Sequence, residues 1–530
     1  MPPEHAAAHP DRTPVDARLA SAPDASAART AGSAPQAGRR LEVDDVLVVR
    51  TGRVRKAITG TVVGNFMEWF DFGIYGYLAV TMTAVFTSGL DENLGLLVVL
   101  LGFAISFLVR PIGGLVLGPL GDRIGRQKVL FFTMAMMALA TALIGLLPTS
   151  GQIGGWAIVL LYALKMLQGF STGGEYAGAS TYVTEFAPDR SRGFWASWLD
   201  VGSYVGFAAG ASTVALVTWI TTSISGADAM VEYGWRIPFL IAIPLGVVAI
   251  WFRLRIPETP AFEQQLEQAD AEPDAGDPLA RHGILGTIRH HWRVMLIAAA
   301  IVAATNTAGY ALTSYMPSYL ERTVGTSNLF AAIVTVPVLI GMSALLPVLG
   351  RLSDRVGRKP VYVAAVAATL TLMVPAFWLM QMGEVWSVVV ALCMVALPVA
   401  LWVAPSTSAL PALFPTATRF GAMGIAFNIS VSLFGGTTPL FSEALIQLTG
   451  NTYMPAFYIM LFAVLAGIAL LTMRESAKRP LVGSVPTVET RAEAVELVEG
   501  QDDNPYLDTA SMPLIASAPD PDAELAGTRS

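Results

Sequence analysis

Apolar runs of about 20 residues recur along most of this chain, and a helix of that length crosses a hydrocarbon core about 30 Å thick. Soluble domains are roughly a quarter charged, whereas this chain is 14% charged and 54% hydrophobic. Its solvent is therefore mostly lipid. The pattern predicts spans near 58–84, 94–118, 129–147, 156–182, 195–221 and 236–254, then 293–319, 328–349, 361–380, 386–410, 421–447 and 453–473. The expected fold is an all-α membrane protein with twelve transmembrane helices in two pseudo-symmetric six-helix bundles.

Loop charge sets an orientation, because cytoplasmic loops collect Lys and Arg. Arg53, Arg55 and Lys56 precede the first span, Arg123, Arg126 and Lys128 follow the second, and Arg190 and Arg192 follow the fourth. The same side later carries Arg351, Arg355, Arg358 and Lys359, then Arg419, then Arg474, Lys478 and Arg479. The alternate loops hold Asp91, Glu92, Asp228, Glu232 and Glu384, with Arg322 as their basic residue. Both termini are thus expected in the cytoplasm, with the chain a multi-pass protein of the inner cell membrane.

The expected organisation is an unordered tail over 1–50, a six-helix bundle over 51–255, a polar cytoplasmic loop over 256–290, a second bundle over 291–474 and a cytoplasmic tail over 475–530. The first stretch is rich in Ala, Pro, Asp and Arg and cannot bury enough surface to offset ordering entropy. No cleavable signal is legible in it. In the last stretch only about 487–499 looks helical. The net charge of −7 gathers in the tails and central loop, so it points to no basic partner and no nucleic acid.

Two loops repeat one another. Gly118-Pro-Leu-Gly-Asp122-Arg123-Ile-Gly125-Arg126-Gln-Lys128-Val129 follows the second span and Gly350-Arg-Leu-Ser-Asp354-Arg355-Val-Gly357-Arg358-Lys359-Pro-Val361 follows the eighth, with seven identities in register. Pro188 with Arg192 and Pro415 with Arg419 echo each other after the fourth and tenth spans. One basic loop is ordinary in a membrane protein; two in register point to a duplicated transporter half. Asp122, Arg123 and Arg126, with Asp354, Arg355 and Arg358, are the expected gate residues, pairing across the halves when the cytoplasmic side is shut.

Ionisable groups inside the spans are costly and mark function. Glu68 and Asp71 lie in the first span, Glu68 on the order of 15 Å from its start. Either they are glue between helices or they carry protons, since a second carboxylate and a low dielectric favour protonation of one of them. Asn65, Glu68, Phe72 and Tyr75 share one helical face, expected to line a cavity. Lys165 in the fourth span is the expected counter-charge. Glu175 on the same span is either a further coupling carboxylate or the partner of an Arg near the cytoplasm, and Arg110 is an extra cation placed toward the cytoplasmic end. Asp200 and Asn306 should face the interior.

Gly169, Gly173, Gly202, Gly206 and Gly210 read as small-residue stripes for close helix packing. Phe72, Tyr75, Trp198, Tyr310 and Tyr315 are aromatics able to cage a quaternary ammonium, at up to about 2 kcal/mol each when desolvated. Cys393 is the only cysteine, so neither a disulfide framework nor a thiolate cluster can form. No zinc-ligand pair or Ser/His constellation lies in the spans, His282, His290 and His291 read as solvated, and neither an enzyme nor a cofactor is expected.

From about 40 to 485 the chain resembles the metabolite:proton symporter family of the major facilitator superfamily. The resemblance runs through Gly64-Asn65 to Tyr75-Gly76, Arg110-Pro-Ile-Gly-Gly114, both Asp-Arg-x-Gly-Arg loops, Gln168-Gly-Phe-Ser to Glu175, Gly234-Trp-Arg-Ile-Pro-Phe239 and Glu258-Thr-Pro-Ala-Phe262. Trp198-Leu-Asp200 to Gly206, Ala304-Thr-Asn306 through Tyr315-Met-Pro-Ser-Tyr319 and Ala426-Phe-Asn428-Ile-Ser430 suggest its osmoregulatory proline/glycine betaine branch, as does Lys165 where carboxylate-transporting relatives look to carry Arg. It implies alternating access, with proton-coupled uptake of glycine betaine, proline or similar zwitterions such as ectoine, stimulated by osmotic stress. Glu68, Asp71, Lys165 and Glu175 would serve coupling, and Asn65, Phe72, Tyr75, Trp198, Asn306, Tyr310 and Tyr315 the substrate. The tail lacks the long coiled coil that some members carry. The competing readings are a proton symporter for citrate, shikimate or 2-oxoglutarate, which needs a dedicated cavity cation, and a membrane sensor that binds solute without moving it.

Overall fold

The computed structural model describes residues 40–49, 51–124, 126–173, 175–254, 278–507 and 512. The expected unordered tail over 1–39 and most of the central loop lie outside those residues, as do the side chains of Asp122, Arg123 and Arg126. In the first half, α1 (Thr51–Tyr77) continues through α2 (Ala79–Phe86), and α3 (Glu92–Leu108) through α4 (Arg110–Ile124). Next come α5 (Arg126–Leu146), the pair α6 (Trp156–Ser171) and α7 (Glu175–Phe186), α8 (Arg192–Ser225) and α9 (Arg236–Leu254). The second half holds α10 (Pro278–Tyr310), α11 (Asn328–Val356), α12 (Arg358–Met380) and α13 (Val385–Ala412). It ends with α14 (Thr416–Ser430), α15 (Thr438–Thr449) and α16 (Met454–Thr472).

Together they make twelve crossings in two bundles. Among the described residues nine helical segments are long and apolar enough by themselves to span a bilayer. The other three crossings are α1, α5 and the α6–α7 pair. Two of these carry the intramembrane charges Glu68, Asp71, Lys165 and Glu175; the two carboxylates lower the apolarity of α1, while α6 and α7, at 16 and 12 residues, are each too short to cross alone.

Small residues set how closely the helices approach. A Cβ added to Gly169 on α6 would lie 1.7 Å from the backbone oxygen of Ser106 on α3, and one on Gly206 of α8 would lie 2.4 Å from that of Phe66 on α1. The glycine stripes are therefore packing surfaces where backbone meets backbone. The repeat glycine Gly357 serves the backbone in another way, since at φ 108° it makes the turn between α11 and α12, in the region that L side chains avoid.

Prolines shape α13, which holds Pro398, Pro405 and Pro411 within its length. Pro411 has no N–H to offer the carbonyl four residues back, so Thr407 keeps an orphan oxygen. Ser180 Oγ at 3.1 Å and Thr184 Oγ1 at 2.8 Å, both on α7 in the other half, donate to it. A sequence-encoded defect in one bundle thus becomes a tie to the other.

Residues 40–49 depart from the expectation of an unordered tail. Leu47–Val48 (β1) pairs in parallel with Thr487–Val488 (β2), and Arg491–Glu499 forms α17, capped by the Thr490 hydroxyl. Val46, Val488 and Ala494 make a small core. Two polar segments, each too poor in apolar residues to fold alone, bury their few together. The face carrying these segments is the terminal face, and its counterpart is the opposite face.

Candidate functional site

Glu68 on α1 accepts from Arg110 Nη2 at 2.8 Å, with both side chains almost fully buried. Arg110 begins α4 just past the interruption at Val109, which brings it into the bundle instead of leaving it near the helix end as expected. Its guanidinium lies 4.2 Å from the ring centre of Phe107, 5.0 Å from Phe72 and 5.5 Å from Trp69. A planar, weakly hydrated cation suits that stacked seat. Lys165, the expected counter-charge, holds its ammonium 4.1 Å from the ring centre of Tyr75 and 4.9 Å from Phe72. Its field reaches Asp71.

Asp71 Oδ2 accepts from Thr141 Oγ1 at 2.7 Å, while its other oxygen is buried without a hydrogen-bond partner. The same hydroxyl lies 3.0 Å from Met137 O, and Gln168 Nε2 donates to it at 2.6 Å. Thr141 has one proton and two acceptors. Met137 O already accepts the Thr141 N–H within α5, so the hydroxyl proton is free to go to Asp71. Glu175 accepts from Thr133 Oγ1 on α5 at 2.7 Å.

A cavity lies between the halves. Trp69, Tyr176, Asp200, Tyr204 and Phe207 line it from the first half, and Asn306, Tyr310, Thr313, Ser406 and Phe427 from the second. Of the seven expected substrate contacts, Asn306 and Tyr310 are on its wall. Asn65 is one step behind it, donating to Leu199 O at 2.8 Å and Ser203 Oγ at 2.5 Å and accepting from Trp69 Nε1 at 3.0 Å, so it positions a wall residue. Phe72 is packed on Phe103 and Phe107, Tyr75 donates to Val99 O at 2.7 Å, and Tyr315 donates to Glu443 at 2.9 Å.

Trp198 is 38% exposed and points away from the cavity. It sits two residues from Asp200, about 200° around the helix, so the two cannot share a face. The same periodicity places Asp200, Tyr204 and Phe207 together; the sequence marks Asp200 by its charge, but Tyr204 and Phe207 carry no mark of their own.

On the terminal face Asp354 accepts from the backbone N–H of Gly193 at 2.7 Å and of Phe194 at 2.8 Å, at the start of α8 in the other half. Arg358 donates to the same carboxylate at 2.9 Å, Arg355 is exposed, and Arg351 stacks over Phe194, 4.4 Å from its ring centre. Arg419 joins Glu185 at 2.7 Å. The terminal segments add Asp189 N to Thr487 O at 2.9 Å, Thr487 N to Asp189 Oδ2 at 3.0 Å and Arg192 Nη1 to Arg479 O at 3.0 Å. Burial pushes the Asp189 carboxyl up, against the pull of Arg192 beside it.

The opposite face is tied more lightly. Arg322 meets Glu92 at 2.7 Å with Glu92 80% exposed, Asn328 donates to Tyr77 O at 3.1 Å and Gln447 to Asn93 O at 3.1 Å. Exposed pairs contribute about 0–1 kcal/mol. Breaking a buried charge pair costs about 3–5 kcal/mol.

Residues 57–484 match the family model of sugar (and other) transporters. The chain is 66% identical over 477 residues to the ectoine/proline transporter ProP of Corynebacterium glutamicum, covering 90% of this chain and 95% of that one. It is 42% identical over 467 residues to the glycine betaine/proline/ectoine/pipecolic acid transporter OusA of Dickeya dadantii and to the proline/betaine transporter of Escherichia coli, each match covering 88% of this chain and 92% of the relative. In fold it is similar to the proton:xylose symporter XylE bound to 6-bromo-6-deoxy-D-glucose, with a TM-score of 0.62 at 17% identity over 82% of this chain and 98% of that one. A partially occluded, inward-open XylE from Escherichia coli aligns with a TM-score of 0.61 at 16% identity over 80% and 99%. With its cavity between two bonded six-helix bundles, this chain belongs to the sugar (and other) transporter family of the major facilitator superfamily, a multi-pass membrane transporter and not an enzyme.

Proposed function

We propose that this transporter takes up zwitterionic compatible solutes, glycine betaine, proline and ectoine among them, together with protons, by alternating access across the inner cell membrane. The carrying observation is the cavity wall, which offers several aromatic faces and one carboxylate but, among the described residues, no cation. Aromatic faces attract a quaternary or secondary ammonium, whereas a carboxylate substrate needs a basic residue to meet it. Arg110 is not available for that, being paired with Glu68. The substrates named for the relatives from Corynebacterium glutamicum and Dickeya dadantii support the same class.

Coupling falls to Asp71, a buried carboxyl with one oxygen lacking a hydrogen-bond partner, with Lys165 as the cation that feels the change. Glu68 holds Arg110 against the cavity's aromatic wall, and Glu175 steadies α7 against α5. The terminal face is the cytoplasmic one, with both termini there, as the loop charges require. The domain division follows the same reading, with six-helix bundles over 51–255 and 291–474. Asp354, steadied by Arg358, and by the repeat Asp122, Arg123 and Arg126, form its gate, with the exposed Arg355 at its rim. The lighter ties on the opposite face let the cavity open outward first.

The test is uptake of radiolabelled glycine betaine, proline and citrate into proteoliposomes with and without an imposed pH gradient. Wild type is expected to accumulate both zwitterions only with the interior alkaline and to ignore citrate. Asp71→Asn should exchange solute across the membrane yet fail to concentrate it, and Glu68→Gln should lose accumulation. Citrate uptake by wild type, or gradient-driven accumulation by Asp71→Asn at the wild-type level, refutes the reading.

A further inference from the structure

The cavity is chemically lopsided. Asp200, only 4% exposed, is the one charged side chain among the described residues on its wall. Tyr176 donates to one carboxylate oxygen at 2.7 Å, from the same half. Thr407 Oγ1, from the other half, bonds the second oxygen. Tyr310, 4% exposed, contributes to the wall and holds a buried hydroxyl with no hydrogen-bond partner. A buried donor left unpaired costs about 1–3 kcal/mol, and a ligand bringing an acceptor would recover it.

We propose that Asp200 seats the cationic nitrogen of the substrate, that Tyr310 donates to the substrate's carboxylate, and that the nitrogen takes the place Thr407 holds on Asp200. Loading the cavity then undoes one bond between the halves. The assignment rests on the zwitterion reading above and adds the orientation of the substrate and its link to opening. A threonine hydroxyl brings no net charge to the carboxylate, whereas an ammonium adds a full opposite charge in a low-dielectric site, so the exchange runs toward the substrate. The halves do not separate at once, because the Thr407 carbonyl stays held by Ser180 and Thr184.

The chemistry also separates substrates. Proline keeps N–H groups for Asp200 to accept from, whereas the methylated nitrogen of glycine betaine has none and leans on charge and on the faces of Trp69, Tyr204, Phe207 and Phe427. Asp200 is thus a specificity residue that favours nitrogen bearing hydrogen.

Equilibrium binding of proline and glycine betaine to the purified full chain tests this. Asp200→Asn is expected to raise the proline Kd by about tenfold or more and the betaine Kd by less. Thr407→Val removes the competing donor and is expected to bind proline severalfold more tightly than wild type, an effect that mere structural damage cannot produce. An unchanged proline Kd in Asp200→Asn, or weaker proline binding in Thr407→Val, overturns the assignment. Wild type that binds neither solute overturns the substrate reading beneath it.

Discussion

Replacing Asp354 with Asn tests the gate at the point where the two halves share an anion. In the bonded state its carboxylate accepts from two backbone N–H groups at the start of α8, at 2.7 and 2.8 Å. Asparagine keeps one acceptor oxygen, so one of these bonds is lost. A hydrogen bond to a charged group contributes about 1.5–3 kcal/mol, and an anion at a helix N-terminus a further 0.3–1 kcal/mol or so. Arg358 lies on the same half as Asp354 and donates to it at 2.9 Å, so that pairing changes alike in open and closed states and cancels in the difference. The closed terminal face should weaken by about 2–4 kcal/mol, which is roughly 30- to 900-fold in the open population. Ser197 is fully buried and donates only to Phe194 O on its own helix at 2.8 Å, so a cysteine there reports opening without removing a tie. In a Cys393→Ser, Ser197→Cys background the rate of thiol alkylation should rise by that factor on adding Asp354→Asn. An unchanged or slower rate would refute the view that this carboxylate holds the face shut.

Gly169→Ala should abolish folded, monodisperse protein, because its Cβ would lie 1.7 Å from Ser106 O; Gly341→Ala, which meets nothing within 4 Å, should instead be stabilised by about 0.5–1 kcal/mol, and equal thermal midpoints for the two would contradict the packing argument. Burial pushes the Glu475 carboxyl up, but four backbone N–H groups, those of Arg358, Lys359, Ser476 and Ala477, outweigh it and hold it below the usual glutamate range. A depressed folded-state pKa means that its contribution is complete at neutral pH and is lost as pH falls through the depressed value. A spin label at position 482 should stay immobile from neutral pH down to the ordinary glutamate range and loosen below it, with Glu475→Gln looser throughout; immobilisation on acidification would show the sign to be wrong.

The helices were legible because lipid imposes one dominant rule on sequence, and the repeat exposed the duplication. The site was legible only in part. Glu68 and Asp71 stand out as charges in an apolar run, but nothing local says that Glu68 meets Arg110, 42 residues away, in preference to Lys165. The signal for Arg110 was the Arg-Pro pair interrupting an otherwise uncharged run, and it is weak because such interruptions also end helices. The cavity wall is harder still, since Tyr176, Asp200 and Phe427 become neighbours only through packing of the two bundles. Thr407 matters through an absent hydrogen four residues further on, a feature visible as Pro411 yet meaningless until the partner helix is in place. The terminal segments show the same limit: a helix near 487–499 was legible, but the pairing of residues 47–48 beside it was not.

The pairing of Leu47 with Thr487 also imposes an order on how the molecule comes off the ribosome. Asp354 can cap α8 once the eighth crossing is in the bilayer, and Thr407 and Arg419 follow as translation proceeds. The strand beside residue 47 must wait until the last crossing has been made. Every chain cut short before residue 487 therefore emerges with its first strand lacking a mate, so that face is fastened only after all the crossings are made.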